Sequence, residues 1–216
     1  VTGDVSRETP ALVQRYSDFP GLGRFAELLS TRGLERGLVG PREVPRIWSR
    51  HIANCAVVAQ EAGDAIPVGA RVVDVGSGAG LPGIVWALVR PDLRLTLLEP
   101  LLRRATFLTE VVVELSLQSR VTVERGRAED LKSGGFDVVT ARAVARLPQL
   151  LAWTLPLATP GGWVVAFKGA GAAEELEEAA GALAALGGGH ARIAEYGAGV
   201  LAQPTTVVLV QRVTPR

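Results

Sequence analysis

From Arg71 to the end of the chain, the apolar positions switch repeatedly between two periods. Short, β-branched apolar runs fall at 72–75, 94–98, 121–124, 136–140 and 162–167, the length of buried strands. Between them the apolar spacing is helical, at about 81–89, 101–117, 147–157 and 172–186. Strands that alternate with helices in this way predict a parallel sheet covered on both faces. The final third differs. After the break at Gly187-Gly188-Gly189, Ala191–Tyr196 and Thr206–Gln211 read as strands with no helix between them. Two strands so close form a hairpin, so the last is expected to run antiparallel to its neighbour.

The part before Arg71 follows a different rhythm. Residues 1–10 are polar and end at Pro10, which predicts a loose tail. Leu12 to Leu38 is helical in pattern, with Phe25, Leu28 and Leu29 on one face and a break at Pro20-Gly21. Gly40-Pro41 marks a turn. Arg42 to Glu61 reads as one further helix that buries Val44, Ile47, Ile52, Cys55, Ala56 and Ala59. Residues 1–65 are therefore expected to form a helical cap, not an independent domain, on a main domain spanning 66–216.

Between the first strand and the first helix of the main domain lies the densest chemistry, RVVDVGSGAGLPG at 71–83. Glycine lets a ligand approach the backbone closely, and a helix start offers unpaired N–H groups. A glycine-rich turn at a strand's carboxyl end is a nucleotide-type cradle. Gly78, Gly80 and Gly83 satisfy G-x-G-x-x-G, and Glu99 lies about 20 residues on, so a dinucleotide site is one alternative. A tight turn that merely needs small residues is another. Against the dinucleotide stands Asp74, whose carboxylate would repel a pyrophosphate. The same charge attracts the sulfonium and ammonium of S-adenosylmethionine. We therefore read an S-adenosylmethionine cradle made by Asp74, Gly76, Gly78 and Gly80. Cradle and hairpin together indicate an α/β class I S-adenosylmethionine-dependent methyltransferase fold. It is Rossmann-like, with a seven-stranded, mostly parallel sheet and one reversed strand near its edge.

Three further strand ends fit that cofactor. Glu99 closes the second strand, where a carboxylate can accept both ribose hydroxyls; a surface acid favoured by the following helix dipole is the bland alternative. After the third strand, Ala128 leaves room for adenine and Glu129 faces the base edge, although either acid of GRAED could instead cap a helix. After the fourth strand, TARAVARL puts Arg142 where the transferable methyl should point. The Asn/Asp-Pro-Pro-aromatic signature of amino-group methylation is missing there. Cys55, in an upstream helix, is a core residue rather than the nucleophile that carbon-5 methylation of pyrimidines requires.

Composition sets outer limits. The 216 residues are 48% hydrophobic and 21% charged, which predicts a globular chain with a substantial core. No apolar run reaches the roughly 20 residues of a membrane span, and no signal-peptide pattern opens the chain. One cysteine precludes an internal disulfide and a multi-cysteine metal site, in keeping with a reducing cytoplasm. With no methionine in the sequence, Val1 is not expected to be the translational start. Net charge is +1, yet 21 of the 23 basic residues are arginine, which suits phosphate recognition or simply reflects GC-rich coding.

The motifs carry a resemblance. Arg50-His51-Ile52, then VDVGSGAGLPGI, LLEPLLRRATFL, GRAED, ARAVARL and AFKG, occur in the order and spacing of the bacterial RsmG (GidB) family. The resemblance spans about 47–169. It implies methylation of guanine N7 in 16S ribosomal RNA, alone or within a small ribosomal subunit or assembly particle, without metal or membrane; methylation of a small molecule by the same fold is the alternative, against which the Arg-rich N-terminal cap and these motifs count. It also implies cofactor contacts from Gly76, Leu81, Glu99, Pro100, Leu101, Ala128, Glu129 and Arg142. Many family members have Asn-Leu-Thr where this chain has Gly37-Leu38-Val39, so no role is carried over to those positions. Guanine N7 has an in-plane lone pair and no proton to lose, so catalysis is expected from positioning and electrostatics, with Arg142 as the catalytic cation. On the substrate side we place Arg46, Arg50, His51 and Lys168. Arg42, Arg46 and Arg50 recur every four residues as a phosphate rail or a solvated face, and His51 is expected to be a hydrogen-bonding histidine rather than a base.

Overall fold

The computed structural model describes residues 5–131 and 134–213. Its strands are β1 (Arg71–Val75), β2 (Arg94–Leu98), β3 (Val121–Glu124), β4 (Phe136–Arg142), β5 (Ala158–Phe167), β6 (Gly188–Tyr196) and β7 (Thr205–Arg212). They form one sheet in the order β3-β2-β1-β4-β5-β7-β6. Neighbours from β3 to β5 are parallel, whereas β7 runs antiparallel to both β5 and β6. The reversed strand thus sits one place in from the edge, as the hairpin pattern predicts. Because β1 lies between β2 and β4, the chain turns to opposite sides from it. The carboxyl end of β1 is the switch point at which open α/β sheets leave a crevice.

Among the described residues, seven α-helices accompany the sheet: α1 (Val5–Arg15), α2 (Pro20–Leu28), α3 (Ala53–Glu61), α4 (Gly83–Val89), α5 (Leu102–Glu114), α6 (Leu147–Thr154) and α7 (Ala172–Leu183). Side-chain alternation along the strands divides the core in two. Val72, Leu95, Leu97, Val138, Val165 and Leu209 pack on the side of α1 to α5. Val73, Val75, Val139, Ala141, Val164 and Val208 pack against α6 and α7. Residues of the N-terminal segment, among them Tyr16, Leu22, Phe25 and Ile52, belong to the same apolar cluster as β1 and α4. The cap, together with α4 and α5, therefore covers one face of the sheet.

Three N-terminal expectations change. The polar start is helical from Val5, because Leu12 and Tyr16 bury themselves in the cap core; residues 1–4 lie outside the described chain. The second helical stretch closes with a π-turn at Leu29–Gly33. Arg42–Glu61 is not one helix. It comprises a turn, a 3-10 turn at Val44–Arg46, a π-helix at Ile47–Ile52, and then α3. Pro45 explains the first interruption, since it has no N–H to continue a helix. Val44 is only half-buried as a result.

Trp86 of α4 ties the cap to the sheet. Its side chain is fully buried, its Nε1 donates to the Cys55 carbonyl at 3.1 Å, and its ring lies 6.3 Å from that of Phe167. Trp86→Ala should cost about 3–5 kcal/mol in chemical denaturation, the range for emptying a buried aromatic site. Trp86→Phe should recover most of that loss but not the indole hydrogen bond.

Candidate active site

The cradle is built where β1 ends. Gly76 and Ser77 donate their N–H groups to the Leu98 carbonyl at 2.8 and 3.1 Å, which pins the loop to β2. Ser77 Oγ donates to the Asp74 carbonyl at 2.8 Å. Gly76, Gly78 and Gly80 have φ of 68°, 58° and 93°, a region L-residues avoid. Their surroundings differ. A Cβ at Gly80 would come within 2.7 Å of Ile84, whereas one at Gly78 would meet only the Gly76 carbonyl, at 3.7 Å. Gly78 therefore borders open space, and this is where a ligand could lie against the backbone. Leu81, half-buried, follows at the foot of α4.

Asp74 sits behind this loop, not in it. It is fully buried, and its Oδ2 accepts the Gly83 N–H at 3.0 Å, so the carboxylate faces the start of α4. Among the described residues its Oδ1 has no hydrogen-bond partner. Burial pushes its pKa up to about 7, although the Gly83 N–H and the nearby Arg142 oppose the shift. Its charge acts across the glycine turn.

Glu99 is also buried, and it joins the two loops of the cradle. Oε2 accepts the Gly78 N–H and Oε1 accepts the Leu101 N–H, both at 3.0 Å. Each oxygen keeps a second lone pair for a hydroxyl donor. Pro100 and Leu101 are exposed beside it, and Ala128 is buried at the start of a 3-10 turn with Glu129 exposed. The Arg125 Nε–Pro100 carbonyl contact, at 3.5 Å, brings the β2 and β3 loops together. An orphaned buried carboxylate oxygen, an open glycine backbone and a carboxylate at the β2 end together fit S-adenosylmethionine. Asp74, Gly76, Gly78 and Glu99 would hold it.

Arg142 ends β4, and its side chain reaches into the cap. Nη2 donates to His51 Nδ1 at 2.8 Å and to the Arg50 carbonyl at 3.0 Å, while Nη1 lies 3.3 Å from Cys55 Sγ. Beyond it the chain turns at Ala143, whose φ of 56° is costly for a residue other than glycine. A cavity of about 810 Å³ opens here, lined by Arg142, Val144, Phe167 and Lys168 from the sheet ends, with Asn54 from α3 and Gln203 before β7. It has the dimensions of a ligand pocket.

The substrate-side residues fall differently from expectation. His51 has both ring nitrogens engaged, Nδ1 with Arg142 and Nε2 with Glu43 Oε2 at 3.0 Å. Burial, reinforced by the Arg142 charge, pushes its pKa down to about 4, so it is neutral near pH 7 with no nitrogen free for substrate. Lys168 Nζ is held by the Ala145 carbonyl at 2.8 Å and Glu175 Oε2 at 2.7 Å, and its side chain is only 8% exposed. Its charge is answered inside the protein, where it braces the loop after Arg142. Arg46 is half-buried and Arg50 exposed. With Arg42 they do not line one α-helical face, because the 3-10 turn and the π-helix break the four-residue repeat.

Glu43, Asn54, Glu175 and Gln203 have no place in any of the motifs, yet each touches this centre. The one available signal was the His51 motif, which implies a second partner for the imidazole without saying where it lies. Among the described residues no cluster of three or more His, Cys, Asp or Glu side chains could hold a metal ion, and no helix is long and apolar enough to cross a membrane.

Sheet order, reversed strand and cradle define a class I S-adenosylmethionine-dependent methyltransferase fold. The S-adenosylmethionine-dependent methyltransferase SibL shares it, with a TM-score of 0.60 at 20% identity over 80% of this chain and 58% of that one. Within that class the sequence is more specific. The family rRNA small subunit methyltransferase G (GidB) matches residues 19–202, and the chain belongs to it. Ribosomal RNA small subunit methyltransferase G of Salinispora tropica is 55% identical over 195 residues, 87% of this chain and 79% of that protein. Its counterpart from Streptomyces coelicolor is 54% identical over 199 residues, covering 91% and 80% of the two chains.

The raised pKa of Asp74 has a consequence for stability. A carboxyl that ionises near 7 when folded and near 4 when unfolded makes its full contribution below about pH 4, and loses it as pH rises through 7. Asp74→Asn keeps an acceptor for Gly83 but cannot ionise. Without ligand, wild-type stability relative to Asp74→Asn should therefore fall between pH 4 and 7 and then level off. Urea denaturation of both proteins across that range checks this.

Proposed function

We propose that the protein uses S-adenosylmethionine to methylate N7 of a guanine in 16S ribosomal RNA, presented within a small-subunit particle in the cytoplasm. Membership of the small-subunit rRNA methyltransferase family supports the substrate class. The acceptor atom is supported chiefly by the imidazole beside Arg142, which has no free nitrogen to take up a proton. An acceptor that must be deprotonated would need such a base. Guanine N7 does not.

Bound in the cradle, the cofactor supplies a methyl group activated by a sulfonium. The protein's own part is to hold and to polarise. Asp74 and Glu99 place negative charge behind and beside the glycine loop. The Arg142 guanidinium stands fixed between the cradle and the cavity, where it orients the guanine or the cofactor's carboxylate. Arg46 and Arg50, on the cap rim, provide charge for the RNA backbone. A dinucleotide would place its pyrophosphate against Asp74, which disfavours a dehydrogenase.

Mapping N7-methylguanine in 16S rRNA from cells with and without the protein tests the reading. One modified guanine should be present only with the protein. Identical maps, or a methyl group on another atom, would overturn it. At saturating cofactor and RNA, the single-turnover rate should stay nearly flat from about pH 6.5 to 8.5, because no group with a pKa near 6.5 has to lose a proton. Arg142→Ala should slow that rate by about 10²-fold or more, the loss typical of one preorganised electrostatic contact. Arg142→Lys should not restore it, since an ammonium cannot reach the His51, Arg50 and Cys55 acceptors as the planar fork does.

A further inference from the structure

Arg142 is the only sheet residue in a cluster otherwise drawn from one short stretch of the cap. Its acceptors are His51 Nδ1, the Arg50 carbonyl and Cys55 Sγ, and His51 in turn meets Glu43. A guanidinium donates and never accepts. His51 Nδ1 must therefore carry a lone pair, which puts the imidazole proton on Nε2, facing the Glu43 carboxylate at 3.0 Å. That carboxylate selects the tautomer that Arg142 needs. The opposite tautomer would set an N–H against the Arg142 N–H.

We propose that Glu43 and His51 are positioning residues for Arg142, a carboxylate–imidazole pair that fixes one lone pair and thereby sets the guanidinium's orientation at the mouth of the cavity. The proposal rests on the reading that Arg142 acts in methyl transfer. Three observations converge on it. The backbone around the pair is a 3-10 turn followed by a π-helix, irregular geometry that is frequent at functional sites. That irregular path lets the Arg50 carbonyl and the His51 ring both address one guanidinium. The imidazole stays neutral despite its carboxylate partner, because burial and Arg142 outweigh Glu43. An ion pair serving only to brace the cap would gain from a cationic histidine; a lone pair aimed at Arg142 requires a neutral one. Lastly, the strained turn at Ala143 and the Lys168 brace on Ala145 fix the backbone on the other side of Arg142. The guanidinium is then held from both ends.

The test has a spectroscopic arm and a kinetic one. In a His190→Gln background, which leaves His51 as the one histidine, ¹⁵N imidazole NMR of the cofactor-free protein at pH 7 should show a neutral ring protonated on Nε2. Glu43→Ala should give a mixture with Nδ1–H, whereas Glu43→Gln, which keeps an acceptor, should stay close to wild type. In single-turnover methyl transfer at saturating substrates, Glu43→Ala and His51→Leu should each lose about 10-fold or more, as expected when a catalytic group drifts from its place. His51→Asn, whose amide oxygen can occupy the position of Nδ1, should recover most of the rate. A cationic or Nδ1-protonated ring in the wild type would overturn the proposal. So would a His51→Asn enzyme that is folded yet as slow as His51→Leu, or a tautomer and rate indifferent to Glu43→Ala. The NMR arm stands apart from the assigned reaction: a wild type that leaves rRNA guanine unmethylated would refute the function, while the tautomer would still report on the pair.

Discussion

A carboxylate shut away from bulk solvent governs the centre of this molecule. Asp74 is fully buried at the end of β1, and the Gly83 N–H donates to its Oδ2. That bond ties the start of α4 to the end of β1. It also leaves no room for a side chain at Gly83, where a Cβ would fall 2.7 Å from Asp74 Oδ2 and 2.4 Å from Leu97. Burial raises the cost of the negative charge until the group ionises near neutrality. A cation lodged on the glycine loop relieves that cost, and an anion increases it. The same carboxylate thus shapes the turn and biases the sign of what the turn can hold.

The second dependence runs between the cap and the sheet. Arg142 belongs to β4 by sequence but to the cap by its contacts, and Trp86 makes the reverse connection from α4 to the Cys55 carbonyl. Cap helices and sheet share one apolar cluster, so the cap cannot shift without moving the guanidinium. The cavity is correspondingly composite, with Asn54 from α3 facing Phe167 and Lys168 from the strand end. RNA bound at the cap rim would bear directly on the elements that hold Arg142.

Much of this was legible in the residues, for identifiable reasons. Buried parallel strands and amphipathic helices have distinct periods, so seven strands, the late hairpin and the order of elements could be read from β1 onward. The glycine turn was legible because its backbone angles exclude other residues. Where the signal was local but the answer was tertiary, expectation and structure part. The four-residue arginine repeat suggested a helix face that Pro45 and the π-helix dismantle. Residues 5–10 look polar, yet their segment is helical because Leu12 and Tyr16 anchor it. Lys168 and His51 stand in motifs, but the sequence does not show what holds them. Glu175 and Glu43 lie in no motif, and only folding brings them within hydrogen-bond reach.

The charge of Asp74 is the central claim, and cofactor affinity as a function of pH tests it most directly. If a bound cation draws the carboxyl into its ionised form, binding releases a proton. Calorimetric affinity for S-adenosylmethionine should then rise from about pH 6 to 8 and level off above the Asp74 pKa. In Asp74→Asn the affinity should be at least about tenfold weaker at pH 8, a difference of about 1.4 kcal/mol, and flat across the range. An affinity in Asp74→Asn equal to the wild type at pH 8, or a wild-type affinity that falls as pH rises, would contradict the account.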